Sequence, residues 1–312
     1  MIVVGGEALV DLVEEHGRRS PMAGGGPFNT AIALGRLGVP VAFLGTLSHD
    51  EYGGLLARLL AEDGIDMSLV RWSDAPTPLA EVHRHDGGEN TYTFHLTGTS
   101  FTDLPVEAVP ALPEQVSAIH VGTLGLAIDP PAAAYEALLD RETGRRTIVL
   151  DPNVRPAVFG DQIAYRTRFE RLARLADVVK LSADDAAWIY PELERADILE
   201  RVLGLGPRLI AMTMGTLGAV AVSRKGKADV PGVPVTVVDT VGAGDSFGAA
   251  LLAALVERDA LEPGASRPLD DSLLEEVIAY AVTASAITCT RRGAVPPSRA
   301  EIEALIGVSK GV

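Results

Sequence analysis

Short runs of aliphatic and β-branched residues recur along the chain: "IVVGG", "VAFLGTL", "AIHVGTL", "TIVLDPN", "DVVKLS" and "LIAMTMG". Each gives way to a longer segment whose apolar positions fall at helical spacing. Strands that are apolar on both faces belong inside a sheet covered on both sides, so the pattern predicts an α/β protein with a parallel sheet and helices on either face. Ligands in such sheets settle beyond the carboxyl ends of the strands, which directs attention to the loops after these runs. The opening "MIVVGGEALVDLVEE" reads as a first strand, with Asp11 at its end. One stretch breaks the alternation. "PLAEVHRHDGGENTYTFHLTG" carries two period-2 runs around "DGGEN", a hairpin signal, and is expected to form a small β lid inserted in the main domain. "ERDALEPGASRPLDDS" reads as a surface connection between two helices.

Composition narrows the function classes. With 312 residues, 47% hydrophobic and 22% charged, the chain can bury a large core. A net charge of -15 argues against a nucleic-acid partner, which would call for an excess of Lys and Arg. A small anionic ligand needs only a local positive site and stays open. The single cysteine, Cys289, cannot form an internal disulfide, and a reduced, cytoplasmic setting is expected. No secretion leader is visible, and the uncharged stretch "VIAYAVTASAITCT" is too short to cross a bilayer, so no membrane role is expected.

Two glycine-rich loops carry the chemistry. In "DTVGAGDSFGAALLAAL", Asp245 stands between a Gly-Ala-Gly turn and a long apolar helix. Two readings fit: the carboxylate caps the helix, or it stands at the edge of an anion site formed by outward-pointing N–H groups and takes a proton from an attacking hydroxyl. In "AGGGPFNTAIALGRLGVPVAFLG", Gly24 to Gly26 let the backbone approach a ligand, and Asn29 can donate and accept, which suits a polyhydroxylated molecule as well as a capped turn. Neither a G-x-G-x-x-G turn after the first strand nor a Gly-Lys-Ser/Thr loop is present. The anion site at "GAGD" remains.

Together, "GGGPFN" with "ALGRLGVPVAFLG" and "DTVGAGDSFGAALL" resemble the two signatures of the ribokinase-like PfkB family of sugar kinases, over nearly the whole length. "GEALVDL" and "DPNVRP" look closest to its fructokinase and 2-keto-3-deoxygluconate kinase branch. The resemblance implies a ribokinase-like three-layer sandwich over residues 1–312, a single domain with a central, mostly parallel sheet and a small β-sheet lid formed mainly by 79–100 plus segments near 10–20. It also implies ATP-dependent phosphorylation of a sugar hydroxyl with Mg2+, and a homodimer through the lid.

By position, Asp245 matches the family's catalytic base, and Gly242, Ala243 and Gly244 match its anion hole. Asp11, Gly25, Gly26 and Asn29 match the sugar floor, and Tyr92 and Phe94 look like lid residues. Thr213, Gly215 and Gly218 resemble the nucleotide loop, and "AVTASAITCTRRGA", ending at Gly293, resembles the adenine wall. Asp239 and Val241 lie where relatives bind a monovalent cation such as K+. Where the family often has Asn-x-x-Glu near the magnesium, "KLSADD" offers Ser182 and Asp185, with Asp184 competing. Arg155 leaves an acidic sugar open through a bidentate pair. The Tyr-Arg pair typical of ketodeoxygluconate kinases is replaced by His95 and Leu96, which favours a neutral ketose such as fructose, with 2-keto-3-deoxygluconate second. A non-catalytic sugar- and nucleotide-binding sensor is the alternative from another class.

Overall fold

All six apolar runs contain strands in the computed structural model, which describes residues 1–15, 18–83, 91–262, 265 and 267–309. The strands are β1 (Ile2–Gly5), β2 (Leu9–Glu15), β3 (Arg18–Gly24), β4 (Val41–Leu44), β5 (Thr46–Ser48), β6 (Arg71–Ser73), β7 (Leu79–His83), β8 (Thr91–His95), β9 (Ala118–Gly122), β10 (Thr147–Asp151), β11 (Val178–Ser182), β12 (Leu209–Thr213), β13 (Ala219–Ser223) and β14 (Lys227–Val230). The helices are α1 (Gly26–Arg36), α2 (Glu51–Glu62), α3 (Pro131–Glu142), α4 (Gln162–Ala173), α5 (Ala183–Ile189), α6 (Arg195–Leu205), α7 (Ala243–Glu257), α8 (Asp271–Cys289) and α9 (Arg299–Ser309).

Eight strands form the central sheet in the order β14-β13-β12-β11-β10-β9-β1-β4. From β12 to β4 every neighbour is parallel, while β13 and β14 add an antiparallel edge. Alternate residues of these strands feed two cores. Ile2, Val4, Val149 and Val178 face the layer of α1, α7 and α8, whereas Val3, Ile148, Leu150 and Val179 face α3 to α6. That is the mixed α/β sandwich expected from the pattern. The antiparallel edge was not legible, because "GAVAV" runs directly out of the glycine loop after "LIAMTMG".

The opening segment differs from its expected single strand. It breaks after Gly5: Gly6 has φ 148, and a Cβ there would stand 2.2 Å from Pro27 Cγ. The chain then enters a second sheet of order β3-β2-β7-β8, so Asp11 lies within β2 and not at the end of β1. The turn "DGGEN" of the expected hairpin lies outside the described residues, but its two arms, β7 and β8, pair antiparallel. The polar connection after α7 leads, as expected, to α8. At 19 residues, α8 is longer than the uncharged stretch that fills its second half, because it starts at Asp271, capped by the Asp270 side chain, which accepts from the Leu273 N–H. By length and composition α8 matches a membrane-crossing helix, yet 67% of that window is buried inside the fold, packed against α7.

Candidate active site

At the carboxyl end of the sheet, the amino ends of α1 and α7 meet over one cleft of about 710 Å³. Gly26 opens α1, and the space a Cβ would need there is taken by Thr123 Oγ1 at 2.5 Å, Asn153 Nδ2 at 2.9 Å and Asp245 Oδ1 at 3.4 Å. Any side chain at Gly26 would push apart three polar groups from three other segments. Two of them sit on strained backbone: Thr123 has φ 51 and Asn153 φ 37, and their side chains are joined by an Asn153 Nδ2 to Thr123 Oγ1 bond of 3.0 Å. Strain of that kind persists where the surroundings fix it, and it gathers at functional sites.

Asp245 is the third residue of α7, and it does not cap the helix. The N-cap is Gly242, in the left-handed region at φ 75, and a Cβ on it would stand 2.6 Å from the Ala294 Cβ. The Asp245 carboxylate instead accepts a 2.8 Å bond from Asn29 Nδ2, across 216 residues of chain. It is only 7% exposed but lines the cleft. Burial pushes its carboxyl up to about 6, against the opposing pull of the Asn29 bond and the Lys180 charge. Of the turn residues expected to form an anion hole, Ala243 has its N–H donating to Thr240 O at 3.2 Å. The Ser246 N–H is engaged by Gly242 O, which leaves the N–H groups of Gly244 and Asp245 as the first-turn donors for an anion.

The other expected sugar-site residues gather around this pair. Asp11, Gly25, Gly26, Asn29, Phe94 and Arg155 all line the cleft. Burial raises the Asp11 carboxyl to about 6, with Arg155 opposing. The Arg155 guanidinium donates to Asn153 Oδ1 at 2.8 Å. Tyr92 lies in β8, and its side chain is outside the described residues. Glu7 was not anticipated. It is buried, its Oε1 accepts from the Gly26 N–H at 3.2 Å, and its Oε2 has no partner among the described residues. Burial pushes it up to about 8, so it holds its proton at neutral pH. His95 and Leu96 do not line the cleft.

The expected nucleotide and metal residues separate into two groups. Val241 and Asp184 line the cleft. Asp185 does not: its Oδ1 accepts from the Val154 N–H at 2.6 Å and its Oδ2 from the Ser182 N–H at 2.8 Å, while Ser182 Oγ accepts from the Asp185 N–H. This reciprocal capping box starts α5 and occupies both residues. Asp239 likewise accepts from the Val241 and Gly293 N–H groups, tying the loop before α7 to the one after α8. A Cβ on Gly218 would stand 2.0 Å from Val230 O, whereas Gly215 has open space around it, two residues beyond Thr213 at the end of β12. No group of three His, Cys, Asp or Glu among the described residues is arranged to hold a metal. A magnesium ion here would fit as a guest on one carboxylate and the ligand's own phosphates, with water completing its shell.

The family model described as pfkB family carbohydrate kinase matches residues 2–301. A fructokinase of Rhizobium leguminosarum bv. trifolii is 37% identical over 279 residues, covering 88% of this chain and 85% of that protein. Fructokinase-1 of Oryza sativa subsp. japonica is 30% identical over 322 residues, covering 98% and 96%. Among solved structures, a fructokinase with bound ATP from Xylella fastidiosa superposes with a TM-score of 0.89 at 26% identity, over 99% of this chain and 98% of that one.

Proposed function

The chain belongs to the pfkB family of carbohydrate kinases, and we propose that it transfers the terminal phosphoryl group of ATP to a hydroxyl of fructose. One observation carries the reading: the buried Asp245 carboxylate, held by Asn29 of the first glycine loop, stands beside the free N–H donors that open α7, in the same cleft as Asp11. ATP with Mg2+, and a monovalent cation such as K+, would supply the phosphoryl donor and its charge balance. The protein's share is positioning. Asp11 and Asn29 accept from and donate to sugar hydroxyls, and the carboxylate of Asp245 takes the proton of the hydroxyl that attacks. The Gly244 and Asp245 N–H groups receive negative charge on the far side of that hydroxyl. Of the two adjacent acids, Asp184 lines the cleft and would be the one to meet a metal.

The charges lining the cleft favour a neutral sugar. With Glu7 protonated, three acids, Asp11, Asp184 and Asp245, face one cation, Arg155, among the described residues, and a carboxylate-bearing substrate such as 2-keto-3-deoxygluconate would meet that excess. The names of the relatives and the ATP bound to the Xylella fastidiosa enzyme support the same pairing. We read residues 1–312 as one working unit in the cytoplasm, free of nucleic acid and membrane, with β3 and β8 as the outer lid strands through which a second copy would pair. The test is ATP consumption with fructose, 2-keto-3-deoxygluconate, ribose and a nucleoside, compared by kcat/KM. Fructose should lead, and Asp245→Asn should lower kcat about 1000-fold with sugar binding retained. Sugar binding by the wild type with no product and no ATP turnover would make the protein a sensor.

A further inference from the structure

The proposed transfer leaves the buried Lys180–Asp151 pair without a role. Lys180 interrupts an apolar strand, β11, and is 4% exposed. Parallel pairing with period-2 alternation places it on the same face as Asp151 of β10 and His120 of β9, the face covered by α1 and α7. Its Nζ donates to Asp151 Oδ2 at 2.8 Å, and Asp151 Oδ1 has no partner among the described residues. The same Nζ stands 3.1 Å from where a Cβ on Gly244 would be. Lys180 itself does not line the cleft, so the ammonium lies against the back of the turn whose front opens on it. A buried ion pair with an oxygen left over is poor economy for stability alone, since well-packed apolar residues usually serve as well or better.

We propose that Lys180 is a positioning residue of the transfer step, a fixed ammonium behind the Gly242–Gly244 turn that acts on the cleft through Gly244 and Asp245 without touching either ligand. The inference rests on the kinase reading above. Asp151 holds the ammonium in place, and His120 beside it is kept neutral, its imidazole pushed down to about 3 by burial and by Lys180. The cluster therefore presents one positive charge to the turn, in a dry setting where water does not screen it. That charge favours the ionised form of Asp245 and negative charge arriving on Gly244. The charged and titratable groups acting on Asp245 are Glu7, Asp151, Arg155 and Lys180.

The experiment compares wild type, Lys180→Met and the charge-neutral Lys180→Met/Asp151→Asn for kcat, KM and thermal unfolding. We expect kcat to fall about 30-fold in both variants, less than for loss of a direct anion-hole donor, with KM for fructose changed less than about twofold. In Lys180→Met the acid limb of kcat/KM should move to higher pH, because losing a nearby cation raises the proton affinity of Asp245. A folded double variant with kcat within about twofold of wild type overturns the proposal, as does a defect confined to KM or a double variant that does not fold, either of which makes the pair structural. A wild type inert toward every sugar sinks the kinase reading and this one with it; an active wild type beside an unimpaired variant sinks this one alone.

Discussion

Three carboxyls around one cleft are each pushed above their ordinary range, and burial is the leading cause in every case. Asp11 and Asp245 both lie near 6; Asp245 must be ionised to take the hydroxyl proton, and Asp11 to accept from two sugar hydroxyls at once. The acid limb of kcat/KM should therefore steepen toward a slope of two below about pH 6, and Asp11→Asn should return it to a slope of one; a unit slope in the wild type would mean that a single group controls the reaction. Glu7 makes a separate prediction. Its folded-state value near 8 lies above its unfolded value of 4.5, so the stability it contributes is fully present below about pH 4.5 and is lost as pH rises through 8. Glu7→Gln removes that dependence: thermal unfolding of the wild type should fall between pH 5 and 8 by more than that of the variant. Asp245, Asn29 and the glycines were legible because their loops are spelled contiguously. Glu7, Thr123, Asn153 and Lys180 were not. Each becomes notable only through a neighbour brought by another strand or helix, as Thr123 is by Asn153 across 30 residues.

Elements, more than single residues, decided which sequence expectations changed. A helix start occupies Asp185: its two oxygens close the capping box of α5 and bind the loop after β10. Asp185→Ala should cost about 2 kcal/mol of stability by leaving buried N–H groups without acceptors, while the Mg2+ concentration needed for half-maximal rate stays the same. Asp184→Ala should do the reverse, raising the Mg2+ requirement with little effect on unfolding. The strand break at Gly6 is the other case. A hydrophobic count across "IVVGGEALVDLV" sees one run, but the left-handed turn against Pro27 sends its second half into the lid sheet, which is how Asp11 comes to face Asp245 from a different layer.

Across the whole molecule, the cleft is shared between the lid sheet, the first helix and a helix from the last quarter of the chain, so a ligand that fills it ties these parts together. Fructose at about 100 times its dissociation constant should stabilise the protein by about 2.7 kcal/mol, seen as a rise in unfolding temperature. Asp11→Ala should abolish the rise with fructose and keep the one with ATP; loss of both would mark Asp11 as structural. The parallel part of the central sheet was readable because its strands are short, mostly apolar runs, whereas the second sheet draws β2 and β3 from one region and β7 and β8 from another. The Asn29 to Asp245 bond also sets an order of events during synthesis. A nascent polypeptide that has released its first 240 residues already owns most of its sheet and the cradle for a sugar, yet it has no proton acceptor and no phosphate-facing turn. Proton acceptor and phosphate-facing turn thus arrive together, when α7 leaves the ribosome and slots in beside α1.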